Sequence, residues 1–592
     1  MPLRHGEGRK DHLTSFGGLA ALSLDALSSV AYGPEAMLLV LAAAGSSALH
    51  LSLPIAVAIA ALLAVLVFSY CQVIAVHPDG GGAYAVGKQD LGATVSLLAG
   101  ASLVVDYVLT VAVSLAAGAA SLASAFPVLA PHLLEVCLAG LILLTVVNLW
   151  GIAESARILM LPMVVFVCAI LGVIVVGIVR SHPAAVVGTA APMPVSETVG
   201  VLLILKAFAA GCSALTGVEA IANGVPSFRE PRAKLAQRTE LMLGALLGPM
   251  LVGLAVVVVH QHIAPRTGVT VLAQATAGAF GGGWAYSATN IVVALVLALA
   301  ANTSFGGLPV LMSLLAKDHR LPHLFALRAE RPVYRFGVVV LASLAAILLI
   351  AVDAATDRLI PLYAIGVFIG FTISQAGLLR HWYRQRPSSW LPRAVLNGTG
   401  AVLTATAALV FVGTKFTEGA WLVVIAVPAL MLLFSRVQSY YRVVGNELGL
   451  GTTPDRPNGG RSLVIVPVGQ ISRLTEYALT AALSFGDEVV AVSIHLDPEY
   501  SERFRAAWEE WNPGVRLEVV ESPHRSLIHP ILDYVRQAQC DGRQIAVLIP
   551  EVEPRRRRYR ILQNQRGLLL ATVLRARTDV LVCTLPYRLT SR

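Results

Sequence analysis

Charged residues are scarce in this chain. Asp, Glu, Lys and Arg make up 13% of its 592 residues, whereas hydrophobic residues make up 56%. Soluble domains carry about twice that charged share. The deficit excludes an ordinary soluble protein and predicts an integral membrane protein. The net charge of +9 does not indicate a nucleic-acid partner, because most of the basic residues flank apolar segments.

Cysteine is scarce as well, and catalytic patterns are missing. The six cysteines form no CxxC pair and lie mostly inside apolar runs, which excludes a disulfide framework and a zinc site. They are Cys71, Cys137, Cys168, Cys212, Cys540 and Cys583. The chain has no P-loop, and no nucleophile with a matching base stands out. An enzyme is therefore the least favoured class, and no cofactor is expected.

Long apolar runs fill the first three-quarters of the sequence. Because about 20 apolar residues cross a bilayer, we predict about twelve spans. They lie near 14–42, 50–75, 91–125, 132–150, 155–179, 199–226, 238–262, 280–315, 335–352, 358–380, 395–414 and 418–435. The first run is too long for a signal-peptide core and lacks a small-residue cleavage site, so we expect it to be retained.

The short loops between these spans differ in positive charge. Most of their Lys and Arg residues fall on the side that holds the N-terminus. The opposite loops contain only Arg180, Arg266, Arg358 and Lys415. By the positive-inside rule, both termini are expected in the cytoplasm of a multi-pass protein of the cell membrane, in contact with its lipid.

The character of the chain changes after about residue 436. We predict a transport domain over 1–436, a polar linker over 437–461 and a cytoplasmic domain over 462–592. In the last domain, short apolar runs such as SLVIVPV and EVVAVSI alternate with segments of helical spacing such as RLTEYALTAALS. Strands alternating with helices predict a parallel α/β sheet.

The first span, SFGGLAALSLDALSSVAYGPEAM, is an unusual membrane helix. It carries Asp25 at its middle and a Tyr32-Gly33-Pro34 break. A carboxylate at mid-bilayer costs several kcal/mol on most estimates, and freed backbone carbonyls are tolerated only around a cavity. These features predict a discontinuous helix that lines a cation site. The alternative is a kinked helix whose Asp25 is neutralised by a partner.

The sixth span, LKAFAAGCSALTGVEAIANGVPSF, repeats this pattern. It contains Gly211, Gly217, Gly224, Pro226 and an acid, Glu219. Transporters built from inverted repeats place a second interrupted helix at the start of their second half. The matched positions of the two breaks therefore favour such a repeat.

The third span adds an intramembrane acid and two hydroxyls. Asp106, Thr110 and Ser114 follow at i, i+4 and i+8, so they share one helix face, although the hydroxyls could instead bond to their own helix carbonyls. Tyr363 in the tenth span could bring a phenol to the same cavity, or could anchor the helix at the membrane interface.

Three buried acids with neighbouring hydroxyls form a hard-oxygen environment for a cation. A monovalent ion such as potassium suits it, and magnesium or calcium stays open. One monovalent ion needs fewer than three acids, so one of them is expected to carry the proton of a symport cycle. Lys206 in the sixth span could pair with one of these acids and gate the site, or could extend outward to the interface.

Several motifs together resemble the KimA-type potassium importers of the KUP group, in the amino acid/polyamine/organocation superfamily. They are the first span quoted above, HPDGGGAY, VVDYVLT, ALTGVEAIANGVPSFREP and WNPGVRLEVVESPHRSL. The resemblance covers nearly the whole chain. It implies a LeuT-like fold of two inverted five-helix halves plus two further helices, a homodimer, and proton-coupled potassium uptake.

The same resemblance assigns functional positions by motif. They are Asp25, Tyr32, Asp106, Thr110, Ser114, Thr216, Glu219 and Tyr363. Among them, potassium is expected at Asp25, Asp106, Thr216 and Glu219.

The resemblance also implies a cytoplasmic domain like the universal stress proteins, inhibited by cyclic di-AMP. The sequence itself offers only a basic run that could hold phosphates, formed by Arg555, Arg556, Arg557, Arg558 and Arg560. The run could equally contact anionic lipid or be a solvated helix start.

Two rival functions stay open. An amino acid permease of the same superfamily is the first, because a fold does not determine its substrate. A membrane-anchored nucleotide sensor is the second.

Overall fold

The computed structural model describes residues 12–150, 156–190, 197–327, 333–451, 453, 460–495, 498–521, 528–539, 543–554, 563 and 565–589. The chain divides into two compact units, Met1–Leu450 and Gly451–Arg592. The division falls inside the predicted linker, 437–461.

In its described residues, the first unit is helical apart from one pair of two-residue strands, β1 (Thr189–Ala190) and β2 (Arg266–Thr267), which run antiparallel. Its first eight helices are α1 (Ser15–Leu22), α2 (Leu24–Ser28), α3 (Gly33–Ala42), α4 (Ser52–Val76), α5 (Gly82–Val86), α6 (Ala93–Ala125), α7 (Leu133–Trp150) and α8 (Ala156–Val179). The other nine are α9 (Val201–Gly211), α10 (Ala220–Asn223), α11 (Arg232–His260), α12 (Val271–Phe280), α13 (Trp284–Lys317), α14 (Arg335–Ala351), α15 (Thr356–Gln385), α16 (Trp390–Lys415) and α17 (Trp421–Glu447).

Among the described residues, eleven helical segments are long and apolar enough to cross a membrane, where about twelve were predicted. The difference lies at 335–352, which forms α14, an apolar helix of 17 residues. α14 ends at Ala351 because Asp353 and Ala354 adopt positive φ angles of 56° and 52°, which a helix cannot contain.

The predicted linker is wrong in its first part. α17 continues to Glu447, so residues 437–447 are helical. The segment VQSYYRVVGNE contains no proline to end the helix. The polar residues 437–447 therefore extend the last helix of this unit instead of forming a loop.

Both predicted helix interruptions are confirmed. In the first span, α2 passes into a 3₁₀ turn over Ser29–Ala31 before α3 begins at Gly33. In the sixth span, α9 passes into a 3₁₀ turn over Cys212–Leu215, and Thr216 is extended before α10 begins. Both interruptions lie among buried residues in the interior of the helical unit.

The centre of the helical unit is α6. Most of its 33 residues are buried, and it packs against α13, α14 and α15. Its many Ala, Gly and Ser residues let the neighbouring backbones approach closely, as is typical of helix packing in membranes. The face with Asp106 is therefore held in the interior.

The second unit is the predicted parallel α/β domain. Its strands are β3 (Ser462–Pro467), β4 (Glu488–His495), β5 (Arg516–Glu521), β6 (Gln544–Glu553) and β7 (Leu581–Arg588). Its helices are α18 (Arg473–Phe485), α19 (Pro498–Trp511), α20 (Ile528–Gln539) and α21 (Gln565–Arg577). The strand order is β5-β4-β3-β6-β7, and every pairing is parallel.

The apolar run of β3 reflects burial on both faces of the sheet. Leu463 and Ile465 belong to one hydrophobic cluster, and Val464 and Val466 belong to another. Continuous apolar strands of this kind are typical of parallel sheets covered by helices on both sides.

Candidate cation site

The two interrupted helices meet at their breaks. The Ser29 hydroxyl donates a hydrogen bond of 2.6 Å to the carbonyl oxygen of Ala214. The Tyr32 and Thr216 hydroxyls share a hydrogen bond of 3.1 Å. A Cβ atom on Gly33 would lie 2.4 Å from the Cβ of Ala214. The close approach of the two breaks therefore requires glycine at position 33.

Asp25 lies directly against the unwound part of the sixth span. Gly217 adopts a φ of +81°, and a Cβ atom there would lie 2.7 Å from Asp25 Oδ2 and 2.7 Å from the backbone N of Ala26. Asp25 is 6% exposed, and its Oδ1 has no hydrogen-bond partner in the described part of the chain. A glycine that allows positive φ thus places a carboxylate against the backbone of the break.

α6 and α15 complete the polar region. The Thr110 hydroxyl donates a hydrogen bond of 3.1 Å to the Tyr363 hydroxyl. The Tyr363 ring lies 6.5 Å from the Tyr32 ring, measured between centroids. Tyr363 is 1% exposed, so its alternative interpretation as an interface anchor is wrong. A series of hydroxyl oxygens therefore leads from the break in the sixth span to α6. It consists of Thr216, Tyr32, Tyr363 and Thr110.

The three predicted acids are all buried and only partly hydrogen-bonded. Asp25 Oδ1, Asp106 Oδ1 and Glu219 Oε2 have no hydrogen-bond partner among the described residues, and neither does the Ser114 hydroxyl. The charges of Asp25, Asp106 and Glu219 act on one another. Buried oxygens without partners are costly, and they fit a cation that has given up water ligands.

The three acids are not grouped as the ligands of one metal ion usually are. No group of three or more His, Cys, Asp or Glu side chains, within the residues that the structure describes, could jointly hold a metal ion. The expected binding of potassium at Asp25, Asp106, Thr216 and Glu219 stays a prediction. The acids come from three separate elements, and packed helix axes stay roughly 8–10 Å apart.

Lys206 has a different partner from the predicted acids. Its Nζ lies 2.9 Å from Glu197 Oε1, and Glu197 precedes α9. Of the two alternatives for Lys206, the structure therefore shows no pairing with an acid of the site, because the side chain extends toward the start of its own helix. The basic run Arg555, Arg556, Arg557, Arg558 and Arg560 lies outside the described residues.

A fourth buried acid, Glu240, was missed in the sequence. It lies on α11, is 0% exposed, and neither of its carboxylate oxygens has a hydrogen-bond partner in the described ranges. The predicted span 238–262 placed it at a membrane end beside basic residues. Its burial depends on the packing of α11 against α4, which the sequence pattern does not reveal.

A second polar cluster was also missed. Asp90 Oδ2 lies 3.7 Å from His77 Nε2, and Asp90 Oδ1 lies 3.3 Å from His381 Nδ1. All three side chains are buried. His77 follows the end of α4, and Asp90 lies in a π-helical turn over Gly87–Leu91. Burial lowers the pKa of His77 below its usual 6.5, and the nearby Asp90 only partly offsets this.

The lowered pKa of His77 predicts an acid-sensitive fold. The unfolded chain binds a proton at His77 near pH 6.5, whereas the folded chain resists it, so this stability is present above about pH 6.5 and is lost below it. We expect the melting temperature to fall between pH 7.5 and 5.5, and to fall less in His77→Gln. Thermal unfolding of the purified protein in detergent measures this. An equal fall of the melting temperature in His77→Gln and in the exposed-site control His182→Gln would contradict the assignment of this acid sensitivity to His77.

Comparisons with known proteins cover both units. A family model described as "Amino acid permease" matches residues 19–435. A model described as "KimA potassium transporter C-terminal domain" matches residues 460–587. The protein named "Potassium transporter KimA" from Bacillus subtilis (strain 168) is 38% identical over 597 aligned residues, which cover 99% of this chain and 97% of that protein.

Proposed function

The chain belongs to the family of the potassium transporter KimA and is a multi-pass membrane protein; we propose that it is a secondary active potassium importer, driven by protons in symport. The observation that carries the proposal is Asp25, a buried carboxylate with an unpartnered oxygen where two interrupted helices meet. Such gaps bind the cations of secondary transporters.

In this proposal, each group of the site has its own task. Asp25, Asp106, Thr216 and Glu219 supply oxygens that replace the water ligands of potassium. The hydrogen-bonded hydroxyls of Tyr32 and Tyr363 hold the helices in register around the path. Because the three acids exceed the charge of one ion, one of them exchanges the coupled proton.

The amino acid permease is the main alternative, since a permease family model matches the helical unit. A permease would bind the substrate carboxylate at the free N–H groups of the gap. Here Asp25 Oδ2 lies against Gly217 in the gap. Its negative charge would repel a second carboxylate, which favours a cation. A membrane-anchored sensor is the other alternative, and it would not need Asp25.

We propose a LeuT-like inverted repeat for the helical unit and a homodimer for the whole protein. The repeat is supported by the matched interruptions of the first and sixth spans. The homodimer rests on the family resemblance. Both termini would lie in the cytoplasm, as the distribution of Lys and Arg in the loops favours.

We propose that the α/β unit, as a domain like the universal stress proteins, regulates transport by binding cyclic di-AMP. The strand order reverses between β3 and β6. In open parallel sheets, ligands bind beyond the carboxyl ends of the strands at such a reversal. The basic run Arg555–Arg560 follows β6 in the sequence, and its guanidinium groups could pair with phosphates.

Uptake by the purified native protein tests the proposed activity. The protein is reconstituted in liposomes, and uptake of radioactive rubidium, a potassium surrogate, is measured with and without an inward proton gradient. Uptake stimulated by the gradient supports a proton-coupled importer. Absence of rubidium uptake, together with uptake of a labelled amino acid, would establish the permease instead.

Removal of the Tyr363 hydroxyl tests the hydrogen-bonded series. In Tyr363→Phe, Thr110 loses its acceptor, and we expect rubidium uptake to fall roughly tenfold, the effect of about 1.4 kcal/mol. Tyr286→Phe is the matched control, because it also removes a buried tyrosine hydrogen bond, of 2.8 Å to the Ser124 carbonyl. Similar uptake in the two variants would show that the Tyr363 hydroxyl serves only the fold.

A further inference from the structure

Two exposed histidines face each other just beyond the end of α13. The chain reads Asp-His-Arg-Leu-Pro-His over residues 318–323, and both His319 and His323 are exposed. The His319 Nδ1 atom lies 3.1 Å from the His323 Nε2 atom. Neither residue belongs to the proposed cation site, so the pair needs a separate explanation.

The sequence places a histidine where the end of α13 favours glycine. The His319 amide donates a hydrogen bond of 3.1 Å to the Ala316 carbonyl, and the Arg320 amide donates one of 2.8 Å to the Leu315 carbonyl. These two bonds form a Schellman motif, in which the residue after the helix cap has a positive φ and is usually glycine. His319 adopts a φ of 57°. Non-glycine residues held in this conformation cluster at ligand-binding sites, so the choice of histidine indicates a task for its ring.

The separation of the two ring nitrogens fits a shared metal ion. Zinc bonds to imidazole nitrogen at about 2.0–2.1 Å, and two such bonds at an angle of about 90–110° place their nitrogens about 2.9–3.4 Å apart. The observed 3.1 Å lies within this range. A turn of each ring, which both exposed side chains can make, directs the two lone pairs at one ion.

Tyr441 of α17 supports both rings. Its ring centroid lies 4.5 Å from that of His323 and 5.6 Å from that of His319. Its hydroxyl accepts a hydrogen bond of 3.3 Å from the backbone N–H of His323. The pair therefore lies between the end of α13 and the polar extension of α17. Because the Tyr441 ring already restricts the two imidazoles, less side-chain entropy is lost when they bind an ion.

We propose that His319 and His323 together bind a divalent transition-metal ion of the zinc class. Imidazole nitrogens suit zinc and copper, whereas magnesium and calcium prefer oxygen ligands. Among the described residues, no third His, Cys, Asp or Glu side chain completes the group, so water fills the other coordination positions. The adjacent Asp318 is not a ligand, because its carboxylate binds Lys88 and Tyr84.

Binding of the ion leaves both rings neutral. One of the two facing nitrogens carries the proton of the hydrogen bond between the rings. That ring takes up its other tautomer, with the proton on its second nitrogen, so both facing nitrogens offer a lone pair. No proton is lost from the pair, and no further reactant is needed. The site contains no cysteine, which is why the cysteine pattern of the sequence does not reveal it. The inference does not depend on the proposed transport.

Copper(II) added to the whole protein tests the proposal, because its electron paramagnetic resonance spectrum counts the bound nitrogens. The protein is purified without a histidine tag. At one equivalent of copper, the native chain should show the splitting of two nitrogens. His319→Asn removes one ligand and keeps a residue that tolerates a positive φ, and His323→Gln removes the other. Each variant should lose the two-nitrogen splitting and at least about tenfold in copper affinity.

Zinc supplies a second measurement. A ligand that binds only the folded state stabilises it, so zinc should raise the melting temperature of the native protein and leave that of His319→Asn and His323→Gln unchanged. His182→Gln is the matched control, because it removes an exposed histidine outside the pair, and it should bind both metals as the native chain does. Melting without added metal shows whether each variant folds as the native chain does.

Three results would overturn the inference. The first is a native spectrum without the two-nitrogen splitting, which refutes it without any variant. The second is a two-nitrogen splitting that persists in both His319→Asn and His323→Gln. The third is an equal zinc-induced rise of the melting temperature in the native protein and in these two variants, since the zinc would then bind elsewhere.

Discussion

Asp25→Asn is expected to abolish concentrative potassium uptake. The substitution preserves the volume of the side chain and removes the negative charge beside the unwound backbone of Gly217. A unit charge about 4 Å from a cation contributes roughly 4 kcal/mol at the effective dielectric constant of partly buried sites. Loss of even half of that contribution lowers rubidium uptake by at least about 20-fold. Initial uptake rates in proteoliposomes, at several rubidium concentrations, measure the effect.

The control for this variant is Asp353→Asn. Asp353 is exposed and has a φ of 56°, a conformation that Asn tolerates well. The Asp353→Asn substitution therefore removes one carboxylate without strain, and this variant should transport rubidium normally. A sensor whose helices only anchor it would keep its nucleotide response in Asp25→Asn. Rubidium uptake at the native rate in this variant would contradict the proposed role of Asp25.

The helix interruptions were predictable from the sequence because their causes are local. Glycine or proline close to an intramembrane acid indicates a helix break from the sequence alone. The strands of the second unit were predictable for a similar reason, since β3 is apolar on both faces. Helix α19 gave a weaker signal, although Phe504 and Trp508 bury one of its faces.

Side-chain partners could not be predicted in the same way. The hydrogen bond between Tyr32 and Thr216 joins residues 184 positions apart, and it exists only because two helices cross. The partner of Lys206 was equally hidden. Three acids of the site were candidates, but the structure pairs Lys206 with Glu197, which precedes its helix. Glu240 was hidden by its neighbours, because an acid beside Arg238 resembles an ordinary loop residue until α4 covers it.

Gly217→Ala is expected to disrupt the site strongly. The new Cβ atom would lie 2.7 Å from both Asp25 Oδ2 and the Ala26 backbone N, far inside ordinary contact distance. Alanine also disfavours the φ of +81° by roughly 1–2 kcal/mol. The two interrupted helices must therefore separate, and we expect rubidium uptake to fall at least about 100-fold and the melting temperature to fall by several degrees.

Gly306→Ala is the matched control for this change. Gly306 lies inside α13, and a Cβ atom there would meet no other atom within 4 Å. Alanine at a helical glycine without strain stabilises a protein by roughly 0.4–1 kcal/mol, so this variant should melt slightly higher and transport normally. Normal uptake in Gly217→Ala would mean that the breaks can part without loss of the ion path. The site would then depend on Asp106, Thr110 and Tyr363 rather than on the meeting of the two helices.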